Sequence, residues 1–497
     1  MTWREYHEQT KHSLESLRRG GHTLDWTNTP DPFRHYQGVP VLDLPADPPS
    51  ADVAALDVLF SAAHSKAPAD GSRLISQLLF YSAAISAAKR VQSTGYKYAL
   101  RVNPSSGNLH PTEFHFVACG VKDWPDGVYH YRPSSHMAEQ RAAGCLKLPL
   151  EGEGTPLVFI LTSIAWREAW KYRNRAYRYC LHDIGHAWQA LALSAHAAGC
   201  RSFAWGRFPD DELARVCRFA DDEWPMILVA LEGGSIGGRA HTEDEVLWYG
   251  GEPNRLSERV VSYPLIDQIH GATKRLEDSA SPTSSTSSGY SLGPASGGLI
   301  ALPEPAHSVR PFGEVVRSRR SALDFRGGSW SMSLPQLSAI LAASFAPLAA
   351  DFATARFISL YLYAHRIEGL QPGVYRYWPY DDGLEILKLG DQRVMAAGLS
   401  LGQDLAGNAC VAFSMIGDLD RATQIFGDRG YRYVHFEAGA IGQRLYLAAE
   451  ALGLGATGIG AFFDDEVHEY LGLGPGDGQA VYHFAIGYPA PDPRLDA

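Results

Sequence analysis

Two segments of this chain carry residue types and spacings that could bind and turn over a small molecule. The first reads Arg101-Val102-Asn103-Pro104-Ser105-Ser106-Gly107-Asn108-Leu109-His110-Pro111. Proline fixes one backbone angle and glycine permits a tight turn, so Ser105, Ser106 and Asn108 can be presented to a polar, planar ligand. An ordinary solvent-facing turn has the same composition. The second reads Arg317-Ser318-Arg319-Arg320-Ser321, ahead of a predicted helix starting near Leu334. Guanidinium groups make forked, charge-assisted bonds to phosphate. A solvated basic face is the plain alternative.

Two further patterns imitate sites. Gly453, Gly455 and Gly458 fit G-x-G-x-x-G, but they follow a helix and enter a strand. A dinucleotide fingerprint needs the reverse order, so no Rossmann site is expected. His182, Asp183 and His186 could share a helix face as metal ligands. No fourth ligand is evident, and a packed helix with Asp183 bonded to nearby arginines is expected instead. No metal is expected.

The elements that must position these residues occur twice. Residues 173–217 and the segment from 427 onward align without a gap at an offset of 254. Arg175, Tyr177, Arg178 and Tyr179 pair with Arg429, Tyr431, Arg432 and Tyr433. Gly185 and Gln189 pair with Gly439 and Gln443, and Phe208, Asp210 and Asp211 with Phe462, Asp464 and Asp465. Asp183 pairs with Glu437, whereas both histidines are lost. A second echo sets Gly127-Val128-Tyr129 against Gly373-Val374-Tyr375. Ala187–Ala198 and Gly442–Leu452 read as buried helices, capped by Gly199 and Gly453. Short apolar runs, including Phe114–Val117, Leu157–Leu161, Met226–Leu231 and Tyr482–Ile486, read as strands. The class is therefore α+β, a sheet wrapped by helices and made twice. The expected organisation is an N-terminal extension over 1–50, a first domain over 51–262, a Ser/Gly/Pro-rich linker over 263–310 and a second domain over 311–492.

With these repeated Tyr-Arg-Tyr helices, the two segments resemble the nitroreductase superfamily of FMN enzymes. The resemblance implies two tandem domains forming an intramolecular pseudo-dimer with FMN as cofactor. Arg319, Arg320 and Ser321 match the motif that holds the flavin phosphate and ribityl chain. Leu323 stands where that motif expects a basic residue. Pro104, Ser105, Ser106 and Asn108, with Arg101 ahead of them, match the loop by which a partner subunit covers the flavin. Gly458, Ile459 and Gly460 fall at a turn beside the flavin ring, able to offer a backbone N–H to N5.

Within that superfamily the chain looks most like the SagB-type dehydrogenases, which oxidise peptide azolines to azoles. Their N-terminal segment is similar to Tyr6–His12, and their Lys-Tyr pair, proposed to assist ring deprotonation, falls on Lys171-Tyr172 in the stretch Trp166–Tyr179. Lys171 equally suits a structural basic cluster with Arg173, Arg175 and Arg178. The resemblance implies a small-molecule or peptide substrate, and peptide-cyclising enzymes as partners. NAD(P)H-dependent reduction of nitro, quinone or enone compounds is the alternative within enzymes. A non-catalytic flavoprotein or docking scaffold is the alternative outside them.

The copies have lost complementary motifs. Copy one keeps the covering loop, and its counterpart in copy two is read as Tyr363–Pro372, without the serines. Copy two keeps the arginines, and their counterpart in copy one is read near residues 60–72, without paired arginine. Retained parts belong to one site, so a single FMN per chain is expected.

Composition narrows the class. Apolar residues make up 45% and charged residues 20% of the 497, which suits folded domains. A net charge of -11 without a basic run argues against nucleic acid. Six scattered cysteines without a C-x-x-C pair read as buried thiols in a reducing cytosol. The polar start lacks an apolar signal core, and no run is long enough to span a membrane. A cytoplasmic monomeric pseudo-dimer or homodimer is the expectation.

Overall fold

A computed structural model describes residues 1–20, 23–61, 68, 70–91, 95–150, 154–237, 241–276 and 298–495. Two antiparallel sheets share one strand order. In copy one the strands are β1 (Thr112–Ala118), β2 (Gly127–Arg132), β3 (Met137–Ala143), β4 (Leu157–Ser163), β5 (Arg201–Trp205) and β6 (Trp224–Glu232), ordered β3-β2-β1-β4-β6-β5. In copy two they are β7 (Ile358–Ala364), β8 (Gly373–Trp378), β9 (Gly383–Leu389), β10 (Val411–Gly417), β11 (Gly455–Ile459) and β12 (Gln479–Gly487), ordered β9-β8-β7-β10-β12-β11. The four strands expected from apolar runs lie inside β1, β4, β6 and β12. β1 and β4 are buried along their whole length, as central strands covered on both faces should be.

Five helices set the frame. They are α1 (Trp3–Gln9), α2 (Ala165–Tyr172), α3 (Ala176–Ala197), α4 (Pro264–Thr273) and α5 (Gly430–Ala451). The long helices α3 and α5 start about three turns before the expected Ala187 and Gly442. Gly199 and Gly453 follow them with φ of +73° and +75°, the left-handed geometry that ends a helix. α3 and α5 cross at Gly185 and Gly439. A Cβ on Gly185 would lie 2.3 Å from the Phe436 carbonyl oxygen, and one on Gly439 would lie 2.2 Å from that of His182. Only glycine lets the two backbones come this close.

Charged residues of the repeated motif pair across the copies. Asp464 of copy two accepts from Arg175 at 2.9 Å and Arg178 at 2.7 Å. Asp210 of copy one accepts from Arg429 and Arg432, both at 2.5 Å. All six groups are buried. Burial opposes ionisation of Asp464, but Arg175 and Arg178 prevail and hold its carboxyl below the usual range.

Two expected boundaries move. The linker was expected from 263, yet Pro264–Thr273 is a helix that buries Ile266, Ile269 and His270. The extension expected over 1–50 contributes α1, which Thr2 and Glu5 start with a reciprocal cap. α1 and α4 are counterparts. Arg178 donates to Thr10 Oγ1 at 3.1 Å, and Arg432 to Thr273 Oγ1 at 3.0 Å. Lys11 pairs with Asp465, and Lys274 with Asp211. The repeated His-x-x-Thr-Lys, at 7–11 and 270–274, is the sequence trace of this symmetry. Residues 277–297, the Ser/Gly-rich centre of the expected linker, lie outside the described residues.

If this frame holds the copies together, residues 1–276 and 298–497 co-expressed as two chains will co-purify. Asp464→Ala should cost about 3–5 kcal/mol, because it strands two buried guanidinium groups. Equilibrium denaturation checks the cost, and size-exclusion chromatography of the split protein checks the association.

Candidate functional site

A cleft of about 390 Å³ lies between the copies. Copy one lines it with Arg101, Asn103–Asn108, Tyr172, Tyr179 and Asp183. Copy two lines it with Arg319–Leu323, Tyr446 and Thr457–Ala461. All the residues expected to hold a cofactor therefore meet in one place.

The loop from copy one is held from below. Asp183 accepts from Ser105 Oγ at 2.6 Å, from Ser106 Oγ at 3.1 Å and from the Ser106 N–H at 3.1 Å. Asp183 was expected to bond arginines, and this corrects it: α3 turns the carboxylate toward the loop. Burial lifts its carboxyl to about 7 against those three donors. Asn108 Nδ2 donates to the Ala99 carbonyl at 3.0 Å, closing the turn. Gly107 has φ of +58°, and a Cβ there would stand 2.7 Å from Tyr172 Oη and 3.1 Å from Lys171 Nζ. The loop is thus laid directly against the Lys171-Tyr172 pair that ends α2. Burial, with Glu168 and Tyr179 nearby, pushes the Tyr172 phenol well up, so it stays protonated.

The arginines of copy two form the basic end. Arg319 is buried, donates to the carbonyls of Val102 and Arg101 at 3.1 and 3.2 Å, and lies over the Tyr446 ring. Its Nη1 has no partner, nor do Nε and Nη1 of Arg101 or Oδ1 of Asn103. Arg320 is tied to Ser86 and to the carbonyls of Arg317 and Arg319. Burial, with Arg319 and Arg317 beside it, pulls its guanidinium down to about 10. Like charges and orphaned N–H groups around one cleft suit an anionic, hydrogen-bonding ligand.

The glycine turn differs from expectation in one respect. The Gly458 N–H donates to Tyr446 Oη at 2.8 Å, and Ser321 Oγ meets the same hydroxyl at 2.8 Å. Within the expected Gly458–Gly460 segment, the Gly458 N–H is thus engaged by a tyrosine at the edge of β11. Gly460 must be glycine, since a Cβ would lie 2.1 Å from the Tyr179 ring.

Several lining residues had no signal in the sequence. Lys89 and Arg494 share Asp492, at 2.7 and 2.8 Å, and both line the cleft beside Leu323. Their approach depends on the C-terminal segment lying along the hairpin Ile85–Arg101, where the Arg90 N–H donates to the Arg494 carbonyl. No local motif encodes that meeting. Tyr446 and Tyr482 also line the cleft, and neither belongs to a motif.

At the pseudo-equivalent position protein fills the ring place, and a cleft of about 550 Å³ lined by Trp188, Gln189, Ala192, Ala349 and Arg444 lies beside it. Strand register makes β7 the counterpart of β1, so the covering loop corresponds to the segment before Ile358. This corrects its placement at Tyr363–Pro372, which belongs to the end of β7 and the turn after it. Copy two joins its preceding helix (Leu334–Phe345) to β7 in twelve residues, leaving no room for a hairpin and loop. Those residues plug the second site. Ala204, the counterpart of Gly458, donates its N–H to the Ala349 carbonyl at 2.9 Å and accepts from Asp351 at 3.0 Å. The Asp351 carboxylate accepts from the N–H groups of Gly206 and Arg207 at 2.7 and 2.9 Å. The Phe352 ring stacks on Tyr433, 4.4 Å between centroids. The copy-one counterpart of the arginine motif falls largely on residues 62–67 and 69, outside the described residues.

The Nitroreductase family profile matches residues 82–234 and 316–488, so the chain belongs to the Nitroreductase family. The crystal structure of a putative nitroreductase from Anabaena variabilis superposes with a TM-score of 0.77 at 26% identity, covering 98% of this chain and 99% of that one. "Putative nitroreductase MJ1384" of Methanocaldococcus jannaschii is 35% identical over 116 residues, which are 23% of this chain and 58% of that protein. The microcin B17-processing protein McbC of Escherichia coli is 30% identical over 129 residues, 23% of this chain and 47% of that protein. The chain thus spans about half the length of these two relatives. Among the described residues no helix is long and apolar enough to cross a membrane.

Asp183→Ala removes the acceptor of three loop donors and should cost about 1–3 kcal/mol. Hydrogen exchange will accelerate at 103–109 while the plug at 349–352 keeps its protection.

Proposed function

We propose that this chain is an FMN-dependent oxidoreductase that oxidises azoline rings in peptides, with one flavin site built from both copies. The observation that carries the reading is the approach of Gly107 in the Pro104–Asn108 loop to Lys171 and Tyr172, of which Tyr172 lines a cleft whose far end is basic. The partial similarity to a microcin-processing protein supports a peptide substrate.

The residues fit FMN. Arg319, Arg320 and Ser321 would hold the phosphate and ribityl chain, with Lys89 and Arg494 supplying the charge that Leu323 lacks. Ser105, Ser106 and Asn108 would cover the ring system, and Gly458–Gly460 would border it. When bound, FMN supplies an acceptor for the hydride that an azoline carbon loses. This chain's part is proton handling and exclusion of water. Lys171 takes the ring proton at Nζ as the hydride leaves, which balances the oxidation to the azole. Tyr172, kept neutral by burial, donates its hydroxyl proton to orient the substrate or the lysine. The second copy of the site is structural, its ring place taken by Phe352.

The purified protein is expected to release a single FMN per chain, measured by HPLC against protein mass. Arg319→Ala should weaken retention by about 10- to 100-fold, the worth of a charge-assisted bond to phosphate. Two FMN per chain would contradict the plugged second site, and none would remove the cofactor assignment.

Lys171→Ala should slow single-turnover flavin reduction by a panel of azoline peptides by roughly 10²- to 10⁴-fold, with bound FMN unchanged. Rates near wild type per bound flavin would leave Lys171 structural. A wild-type flavin that NADH reduces and no azoline does would favour the nitro, quinone or enone reductase.

A further inference from the structure

Two tyrosine hydroxyls flank Gly458, and they are engaged differently. Tyr446 Oη is held twice, by the Gly458 N–H and by Ser321 Oγ, both at 2.8 Å. Tyr482 Oη has His186 Nε2 at 3.1 Å. It lies close against the turn, since a Cβ on Gly458 would stand 2.1 Å from it. Tyr482 and His186 both line the cleft between the copies. Asp183, Tyr179 and Tyr172 of copy one are neighbours of Tyr482, so its hydroxyl stands between the glycine turn and the Tyr172 side of the cleft.

The pseudo-symmetric position shows what the fold alone requires. Val229 pairs with Ala204 as Phe484 pairs with Gly458, so Ile227 is the counterpart of Tyr482. The repeat offset gives Ala440 for His186 and Trp188 for Gly442. Gly442 leaves room for the imidazole, because a Cβ there would lie 2.7 Å from His186 Cε1. At the plugged position Trp188, Ala440 and Ile227 are all buried, so the same frame packs without a hydroxyl or an imidazole. The fold therefore does not need Tyr482 and His186 as polar groups. Burying them, with His186 Nδ1 left unpartnered, costs stability that apolar residues would not lose. The pair occurs at the retained site and not at its plugged counterpart, which points to a ligand.

The proton positions follow from the chemistry of the pair. Burial lowers His186 to about 3, so its imidazole is neutral. Burial, with Tyr446 and Asp183 close by, pushes the Tyr482 phenol well up. An imidazole nitrogen is a much stronger base than a phenol oxygen, so the tyrosine O–H donates to Nε2. The lone pairs of the phenol oxygen are then left for the cleft, and the bond behind them strengthens that oxygen as an acceptor. His182 stacks on the Tyr482 ring, 4.3 Å between centroids and 11° between planes, and fixes the plane of the ring.

We propose that Tyr482, backed by His186, is a further cofactor-contacting residue: its hydroxyl oxygen accepts the N–H that the FMN ring gains on reduction, and so favours the reduced cofactor. This rests on FMN being the cofactor. In the oxidation an azoline carbon gives a hydride to the ring and Lys171 takes the proton, so one ring N–H appears in the cleft for each azole formed. The Gly458 N–H could not receive it, being itself a donor, whereas the neighbouring Tyr482 oxygen can.

The full chain loaded with FMN tests this by spectroelectrochemical titration of its two-electron midpoint potential. Tyr482→Phe should lower the potential by about 30 mV, a change of about tenfold in the ratio of reduced to oxidised cofactor, while the affinity for oxidised FMN stays within about twofold of wild type. His186→Ala is the second variant and should also lower the potential, because the freed tyrosine O–H turns to the cleft and opposes another donor. A purely structural pair would instead weaken oxidised FMN or lower the denaturation midpoint and leave the potential in place. Potentials at or above wild type, or loss of oxidised FMN from both variants, would overturn the inference alone. A wild-type chain that binds no FMN would overturn the cofactor assignment and the inference with it.

Discussion

The structure depends on one reciprocal interaction: each copy's aspartate is buried against two arginines of the other. Asp464 needs Arg175 and Arg178, and Asp210 needs Arg429 and Arg432. Neither copy can leave without abandoning buried guanidinium groups that nothing else neutralises. Such pairs add little net stability when intact and are costly to break, so they act chiefly as a specification of register. The glycine crossing at Gly185 and Gly439 makes the same demand in steric terms. Together they fix α3 against α5. That fixes Asp183 and Tyr179 from one copy opposite Tyr446 and Gly460 from the other.

Fusion changes what selection can do with such a pair. In a symmetric dimer each residue serves two sites, so no site can be dismantled alone. Here the two halves have drifted apart while the frame stayed symmetric. The covering loop survives only before β1. Its counterpart has shrunk to a connection whose backbone pairs with β5 and whose Phe352 lies on Tyr433. An apolar ring stacked in a site that no longer carries the loop keeps the helices packed, which an empty cavity would not.

Much of this was legible in the sequence, for identifiable reasons. The motif residues Arg175, Arg178, Asp210 and their partners announce the duplication, because ionic pairs that cross a pseudo-twofold axis must be kept in both copies. Pro104, Ser105, Ser106, Asn108, Arg319, Arg320 and Ser321 could be named because loop and basic motifs are local in sequence. The misreadings share one cause, contact at long range. Asp183 was assigned to arginines because it stands among them on α3, while its partners Ser105 and Ser106 come from a loop some eighty residues away. The loop's counterpart, expected at Tyr363–Pro372, lies before Ile358 because copy two has no hairpin ahead of β7, and only strand register shows that. Lys89 and Arg494 have no local context at all.

The hairpin Ile85–Arg101 explains why the retained site is the one that it is. It reaches across to copy two, where Ser86 receives Arg320 and Ile85 receives Arg317 through their guanidinium groups. The Arg90 N–H meets the Arg494 carbonyl on the other side. The hairpin therefore orders both basic segments that flank the cleft and delivers the covering loop at its end. Copy two lacks such a hairpin, so its connection cannot reach over to order a basic segment in copy one. The hairpin thus ties the covering loop of copy one and the arginines of copy two to the same cleft.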